Sequence, residues 1–304
     1  MNTTRDPDEG LPPLRLVVLA GRGAGSGGAS GSAGASAFAG ASGFAGGDPL
    51  AARFAESHRC LIPLAGRPLI AHVLQTAAQH PRVTSLAICV EREAFDPIWD
   101  VLTRLPGRGS VALVEAQADI AASVRAATQG WDGAVLVTTA DHALLSPGAI
   151  DAMIAALESA DVAFSLAPRA AVEAAHPRAG RGFIALHDGD YAACDLYGMA
   201  SPRFVGAVRI FGGTRAAGQE GARIRRAVGM MGMVLVRLGM ETLAGALARA
   251  SRRLGMRVRA VILEDGTQAI DVDDDRTYAI VRDLLERREE AARLEASAPR
   301  TAVA

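Results

Sequence analysis

Residues 14–23, Leu-Arg-Leu-Val-Val-Leu-Ala-Gly-Arg-Gly, decide how the fold begins in this chain of 304 residues. The first seven form a short, mostly apolar run with β-branched members, and the run ends in glycine, as is typical of a buried parallel strand. A glycine-rich turn that leaves such a strand lets backbone N–H groups approach phosphate oxygens without obstruction by Cβ atoms. We therefore expect a phosphate-binding loop formed by Leu19, Ala20, Gly21, Arg22 and Gly23.

The segment 21–47 that follows consists almost entirely of Gly, Ala and Ser. It cannot bury enough apolar area to offset the entropy of ordering it, so most of it is expected to be a flexible loop. Asp48 and Pro49 then predict the N-cap and first residue of a short helix. Within that helix Arg53 is a candidate for bidentate contact with phosphate, alongside Asp48 at the helix start.

Further along, strand and helix patterns alternate. Strands are predicted over 84–90, 111–115, 134–139 and 161–167, and helices over 69–78, 93–105, 119–129 and 147–157. Such alternation indicates a parallel sheet with helices on both faces, and ligands of these sheets bind beyond the carboxyl ends of the strands. Gly21, Glu115 and Asp141 should all lie at that edge.

The pattern changes after about residue 168. Apolar runs at 183–186 and 191–196 flank His-Asp-Gly-Asp and predict a hairpin. Helices are expected between 202 and 254, including a buried one in the apolar stretch 229–240, which is too short to span a bilayer because that requires about 20 apolar residues. A strand over 257–263 and a helix over 274–287 complete a domain at 14–290, with a helical insertion at 198–256 and tails at 1–13 and 291–304.

Composition excludes several classes of protein. Half of the residues are hydrophobic and 21% are charged, which is typical of a globular protein, and the formal net charge of −1 provides no field for nucleic acid or a membrane. Every fixed cation is arginine, so phosphate contacts must come from arginine or backbone N–H groups.

Cys60, Cys89 and Cys194 lack the spacing of a zinc site or a disulfide framework, which favours a reducing, cytoplasmic compartment. The oligomeric state stays open.

Two acidic motifs are candidates for a metal site. Asp141 follows the buried strand 134–139, where a carboxylate is costly unless it is solvated or metal-bound. Asp271 and Asp273 would share one face of a short strand, and separated carboxylates suit a Mg²⁺ ion that keeps several waters. Capping of the final helix is an equal alternative for Asp273.

A second motif identifies a family. His58-Arg-Cys-Leu-Ile-Pro-Leu-Ala-Gly-Arg-Pro-Leu-Ile70, with 60–64 extended and a helix after Pro68, follows the upstream Leu-Ala-Gly. Together these elements resemble the GT-A-type nucleotidyltransferases, above all the MobA-like NTP transferases, over roughly 14–165 and 257–287. The resemblance implies a three-layer α/β/α fold with a Rossmann-like, mostly parallel sheet and a C-terminal helical insertion.

The resemblance also implies an activity and its residues. Members transfer a nucleotide from a nucleoside triphosphate, with CTP or GTP favoured here, to a small anionic acceptor, and they use Mg²⁺. Arg59 stands where the family usually has a lysine that binds the triphosphate, and Asp141 holds the metal; these are the expected catalytic residues. Asp271 or Asp273 completes the metal site, and Ser123 lies near the nucleobase.

Other interpretations remain open. An arginine-rich stretch, with the hairpin at 188–197, either frames an acceptor pocket or is a solvated surface; its members are Arg209, Arg215, Arg223, Arg225 and Arg226. His142 is either a loop residue or a substrate contact. The chain could also be a nucleotide-binding module without turnover, or a dinucleotide-binding oxidoreductase with Glu91 on the ribose.

Overall fold

The computed structural model describes residues 13–21, 39–40, 48–106, 109–179, 182–208, 213–214, 229, 232 and 234–297. Arg22, Gly23, the arginine-rich stretch, most of the segment 21–47, residues 1–12 of the N-terminal tail and residues 298–304 of the C-terminal tail lie outside the described residues. Within the segment predicted to be flexible, Ala39–Gly40 pairs in parallel with Gly213–Thr214.

The molecule is organised around one eight-stranded sheet. Its strands in chain order are β1 (Leu14–Leu19), β2 (Val83–Val90), β3 (Ser110–Glu115), β4 (Ala134–Thr139), β5 (Val162–Pro168), β6 (Ile184–Leu186), β7 (Gly189–Met199) and β8 (Val258–Ile262). The spatial order is β3-β2-β1-β4-β7-β5-β8, and β6 pairs with β7. All neighbours on this path are parallel except β7, which runs antiparallel to β4 and β5. The predicted mostly parallel sheet and the predicted hairpin are confirmed.

Helices cover both faces of the sheet. They are α1 (Pro49–Arg53), α2 (Leu69–Gln79), α3 (Phe95–Leu102), α4 (Ile120–Ala127), α5 (Pro147–Leu157), α6 (Arg169–Ala175), α7 (Leu243–Leu254) and α8 (Asp275–Ser297). Alternate β1 side chains enter different cores, since successive residues of a strand point to opposite faces. Leu16 and Val18 pack with residues of α1, α2, α3, α5, α6 and α8, whereas Val17 and Leu19 pack with α4 and a 3₁₀ turn, Pro202–Ala207. The predicted three-layer architecture is confirmed.

Helix starts follow the predicted capping chemistry. Ser146 caps α5 by accepting a hydrogen bond from the Ala149 N–H at 3.2 Å, and Pro147 is its first residue. Asp48 caps α1 through the N–H groups of Leu50 and Ala51. None of the described helices is both long and apolar enough to cross a membrane.

Three local predictions were wrong. The segment 60–64 is not extended throughout, because Arg59–Leu61 forms a 3₁₀ turn in which the Leu61 and Ile62 N–H groups bond back to the carbonyls of residues 58 and 59. Residues 271–273 form no strand, because the Val272 N–H bonds to the Asp141 carbonyl and the Asp273 N–H to the Thr277 hydroxyl in the first turn of α8 instead of to a neighbouring strand. The described end of the 229–240 stretch is not buried: its exposed apolar side chains are Val234, Leu238 and Met240.

Candidate active site

The carboxyl ends of four neighbouring strands lie level at one edge of the sheet. Beyond β1, the Ala20 N–H bonds to the carbonyl of Cys89 at 2.8 Å, and the carbonyl of Leu19 accepts the Ala140 N–H at 2.9 Å. The Ala116 N–H bonds to the Val90 carbonyl at 2.9 Å, which aligns β3 with β2. The residues that follow these strands therefore share this edge, and they are Gly21, Glu91, Ala116 and Asp141.

Arg59 is the centre of this edge. The 3₁₀ turn places its side chain, only 9% exposed, among acidic residues from three parts of the chain. Its Nε donates to Oδ2 of Asp48 at 2.7 Å, while its Nη1 lies 3.5 Å from Oδ1 of Asp273 and 3.9 Å from Oδ2 of Asp141. Nη1 also donates to the Val272 carbonyl at 3.4 Å. One guanidinium thus connects three of the carboxylates that the sequence singled out.

Asp48 has two structural tasks. Its Oδ1 caps α1 through the Leu50 and Ala51 N–H groups at 2.9 and 3.2 Å, while its Oδ2 accepts from Arg59. A single carboxylate therefore fixes the start of α1 and the orientation of the arginine. Its nucleotide contact, expected from the sequence, stays a prediction.

Asp141 is a buried carboxylate in an unfavourable environment. Its side chain is 3% exposed, and neither of its oxygens receives a hydrogen bond of ordinary length within the described part of the chain. Burial, followed by the negative charges of Asp271 and Asp273, raises the pKa of Asp141 to about 7, although the positive charge of Arg59 opposes the increase. Two like charges at close range disfavour ionisation, so this position gains from an additional cation.

The donor set fits Mg²⁺. The carboxylates of Asp141, Asp271 and Asp273 are hard oxygen donors close enough to influence one another, and Asp141 and Asp271 are almost completely buried. Among the described residues, however, no three His, Cys, Asp or Glu side chains form a ready metal cage. Mg²⁺ typically takes one or two carboxylates and completes its shell with water and phosphate oxygens, so the residues present suit an ion that arrives with a phosphate ligand.

A second charged pair lies on the β2 side of Gly21. A Cβ atom built on Gly21 would be 3.2 Å from Oε1 of Glu91 and 3.4 Å from the Ala116 Cβ. Oε2 of Glu91 is 3.3 Å from Nε2 of the fully buried His58, whose Nδ1 is 2.8 Å from the Ser57 hydroxyl. Sequence reasoning missed this pair: Glu91 was considered only as a ribose ligand of an oxidoreductase, and His58 only as the start of a motif.

Cys60 separates these two charged regions. Burial, and to a smaller extent the negative charges of Glu91 and Asp141, raise the pKa of its thiol to about 12. The thiol therefore stays protonated and is a packing residue rather than a nucleophile.

His142 is a structural residue in this arrangement. Its ring is fully buried. In this conformation His142 therefore cannot contact a substrate, which was one of the two roles that the sequence left open. Its Nδ1 lies 3.0 Å from the hydroxyl of Thr138, and that hydroxyl donates to the carbonyl of Asp195 at 2.7 Å. The residue after Asp141 is thus connected to β7.

Two further predicted ligands lie outside the group around Arg59. Arg53 is exposed and forms an ion pair with Asp275 at the start of α8. Ser123, in the first turn of α4, directs its hydroxyl to the preceding loop, accepting from the Gln117 N–H at 2.9 Å and donating to the Asp119 carbonyl at 3.2 Å. Ser123 therefore orders the loop that follows β3.

A family model for the MobA-like NTP transferase domain matches residues 44–196, just over half of the chain. The chain belongs to this family. Nucleotidyl transfer is the type of activity that the family assignment supports, and the predicted family is confirmed. The family assignment gives no support to the interpretation of the chain as a dinucleotide-binding oxidoreductase.

Solved structures agree on the fold of this MobA-like transferase. A hypothetical transferase from Thermus thermophilus is 22% identical with a TM-score of 0.64, over 88% of this chain and 100% of the other. The 4-diphosphocytidyl-2C-methyl-D-erythritol synthase of Anaerococcus prevotii and a CMP:2-keto-3-deoxy-manno-octonic acid synthetase in complex with CTP are each 11% identical, with TM-scores of 0.52 over 91% of this chain and 99% of theirs. At these identities the likeness shows the fold alone. No curated protein matches the sequence.

Proposed function

We propose that this MobA-like transferase moves a nucleoside monophosphate from a nucleoside triphosphate to a small phosphorylated or hydroxyl acceptor and releases pyrophosphate. One observation carries the proposal: Nη1 of Arg59 lies 3.9 Å from a carboxylate oxygen of Asp141 and 3.5 Å from one of Asp273, at the sheet edge where Gly21 follows β1. A magnesium triphosphate needs both signs of charge in one place, and this edge provides them.

Each residue has a role in that reaction. Leu19 belongs to β1 and the Ala20 N–H is bonded to the Cys89 carbonyl. The backbone N–H groups that bind the triphosphate therefore begin at Gly21 and continue with Arg22 and Gly23, and Arg59 neutralises it. Asp141 with Asp271 or Asp273 would hold Mg²⁺, which offsets the charge that develops on the phosphates. The acceptor attacks the α-phosphorus, and positioning and electrostatics supply the catalysis without a protein nucleophile.

Within the expected choice between CTP and GTP, the carboxylate of Glu91 favours GTP. Glu91 follows β2, two strands from β4 and its metal ligand Asp141, and adjacent strands are about 4.8 Å apart. Glu91 lies beside Gly21 and Ala116, and this offset supports a position on the base side of the phosphates. A carboxylate only accepts hydrogen bonds, and guanine presents two adjacent N–H donors on its Watson–Crick edge, whereas cytosine presents one donor beside an acceptor.

No contact in the structure identifies the compartment or the acceptor among the described residues, so both are proposed from the cysteines and from the family. Cys60, Cys89 and Cys194 are all buried thiols, which supports the proposal that the protein works in a reducing cytoplasm. We propose a small anionic acceptor from the resemblance to the family. Its attacking atom would be a phosphate or hydroxyl oxygen.

A coupled assay tests the reaction. The full chain is incubated with each nucleoside triphosphate, Mg²⁺, inorganic pyrophosphatase and a panel of phosphorylated and hydroxylated acceptors, and released phosphate is measured. Asp141→Asn should reduce the rate by roughly 10²-fold or more, as expected for loss of a group that stabilises the transition state. The exposed Asp283→Asn on α8 is the matched control and should leave it unchanged. Tight triphosphate binding without pyrophosphate formation from any acceptor would instead identify a module without turnover.

A further inference from the structure

The guanidinium of Arg59 occupies the space among the carboxylates that the proposed function assigns to a metal ion. Its Nη1 lies 3.5 Å from Asp273 and 3.9 Å from Asp141, and the side chains of Asp141 and Arg59 are 3% and 9% exposed. Solvent therefore screens these charges weakly. The positive charge of Arg59 is the cation that now partly balances this acidic group.

A free divalent ion and this guanidinium would compete for the same negative charge. The ion must either approach a buried positive charge or displace it from partners that it already has. A triphosphate changes this balance because it offers the guanidinium several new oxygen acceptors. Only the Nη end needs to move, since Nε is bound to Asp48 at 2.7 Å and can keep that contact.

We infer that Arg59 makes this site select the metal–triphosphate complex over the free metal ion: it neutralises the carboxylates until a triphosphate draws its guanidinium away. The inference rests on the proposed function and adds a specificity role to Arg59. The planar fork of an arginine can hold Asp48 through one nitrogen and face Asp141 and Asp273 with another, which the single ammonium group of a lysine cannot do.

Mn²⁺ binding to the full chain, followed by electron paramagnetic resonance, tests this directly. Without nucleotide, Arg59→Gln should bind Mn²⁺ at least about tenfold more tightly than the unchanged protein, a typical size for coupling between two ligands. Arg287→Gln is the matched control, because it removes an exposed arginine that is paired with Asp283 on α8, and it should not change the affinity.

Adding a GTP analogue with an α,β-methylene bridge, which cannot be transferred, completes the comparison. It should strengthen Mn²⁺ binding to the unchanged protein about tenfold or more, and strengthen it much less in Arg59→Gln. Arg59→Met retains the apolar stem and serves if the glutamine variant does not fold. Arg59→Lys keeps the charge but cannot hold Asp48 and face the other two carboxylates at once, so its affinity for Mn²⁺ alone should lie between those of the unchanged protein and Arg59→Gln.

Two outcomes would overturn the inference. In the first, the unchanged protein and the neutral variants bind Mn²⁺ with equal affinity without nucleotide. In the second, Arg59→Lys binds Mn²⁺ without nucleotide as tightly as Arg59→Gln does. Failure of the proposed function looks different. In that case the unchanged protein would not bind the Mn²⁺–analogue complex at all, or would bind it without loss in Asp141→Asn.

Discussion

The Nδ1 atom of His142 lies 3.0 Å from Oγ1 of Thr138, whose own proton is directed to the carbonyl oxygen of Asp195 at 2.7 Å. Since a hydroxyl has only one proton, Thr138 must accept at the first of these contacts, and Nδ1 of His142 must carry the hydrogen. Through the Thr138 hydroxyl, His142 therefore connects the turn that contains Asp141 to β7 by hydrogen bonds.

Substitutions at His142 should distinguish its two ring nitrogens. The amide of His142→Asn can place a donor near the Nδ1 position, whereas His142→Gln places it near Nε2. The glutamine variant should therefore lose about 1–3 kcal/mol of stability through the unsatisfied Thr138 hydroxyl, and the asparagine variant less. Urea unfolding gives the stabilities, and the Mg²⁺ concentration for half-maximal activity should rise more in the glutamine variant. A glutamine variant that equals the asparagine variant in both measurements would contradict this assignment.

Stability without metal should depend on pH through Asp141. The pKa of Asp141 is raised to about 7 in the folded protein and is ordinarily 3.8. Between these values the unfolded chain has released the proton that the folded protein still holds, so stability falls as the pH rises from about 4 to 7. In EDTA, the melting temperature should be at least about 2 °C lower at pH 8 than at pH 5.

The same carboxylate provides the control for that pH profile. Asp141→Asn cannot ionise, so its melting temperature should change less between pH 5 and 8, and at pH 8 without metal it should exceed that of the unchanged protein. Added Mg²⁺ should stabilise the unchanged protein most at pH 8 and the variant little. Parallel pH profiles for the two proteins would rule out Asp141 as the source.

Glu91 should set the preference for the base. Inosine triphosphate lacks the guanine amino group, so the unchanged protein should prefer GTP over it by about tenfold or more, as expected for a hydrogen bond to a charged acceptor. Glu91→Gln should reduce this preference to about threefold or less. Glu115→Gln is the matched control, because Glu115 ends β3 at the same edge but pairs with Arg92 at 2.8 Å. An unchanged preference in Glu91→Gln, with altered discrimination of 2′-deoxy-GTP, would place the carboxylate on the ribose instead.

Local signals predicted the elements of the fold most accurately. The strand β4 and the helix α5 were predicted to the residue, because a β-branched run and a Ser-Pro start have few alternatives. The turn at Arg59–Leu61 was missed because apolar residues before a proline fit an extended chain equally well. The exposed face of residues 234–240 was missed because apolar content does not say which side of a segment meets the sheet.

The candidate site was predictable only where chain order brings residues to one edge. Gly21 and Asp141 follow neighbouring parallel strands, so their proximity follows from the topology, and the family resemblance added Arg59 and Asp273. The contacts of His142 with Thr138 and Asp195 depend on the antiparallel insertion of β7 between β4 and β5. No local pattern in the sequence encodes that strand order.

Gly21 should be sensitive to a single added methyl group. In Gly21→Ala the new Cβ would lie 3.2 Å from Oε1 of Glu91 and 3.4 Å from the Cβ of Ala116, so neighbours on this side would have to give way. The loop should therefore shift away from the phosphate position, and the KM for the nucleoside triphosphate should rise by about tenfold, because a small misplacement of a binding group is costly. The melting temperature should change by less than about 4 °C, since the strain lies at the edge of the sheet.

Gly148→Ala is the matched control for that substitution. Gly148 is exposed in the first turn of α5, and a Cβ added there would meet nothing within 4 Å. Alanine is favoured over glycine in a helix, so this variant should gain about 0.5–1 kcal/mol of stability and keep the KM unchanged. If both variants left the KM unchanged, the backbone at Gly21 would not approach the triphosphate, and the phosphate-binding loop would have to lie elsewhere.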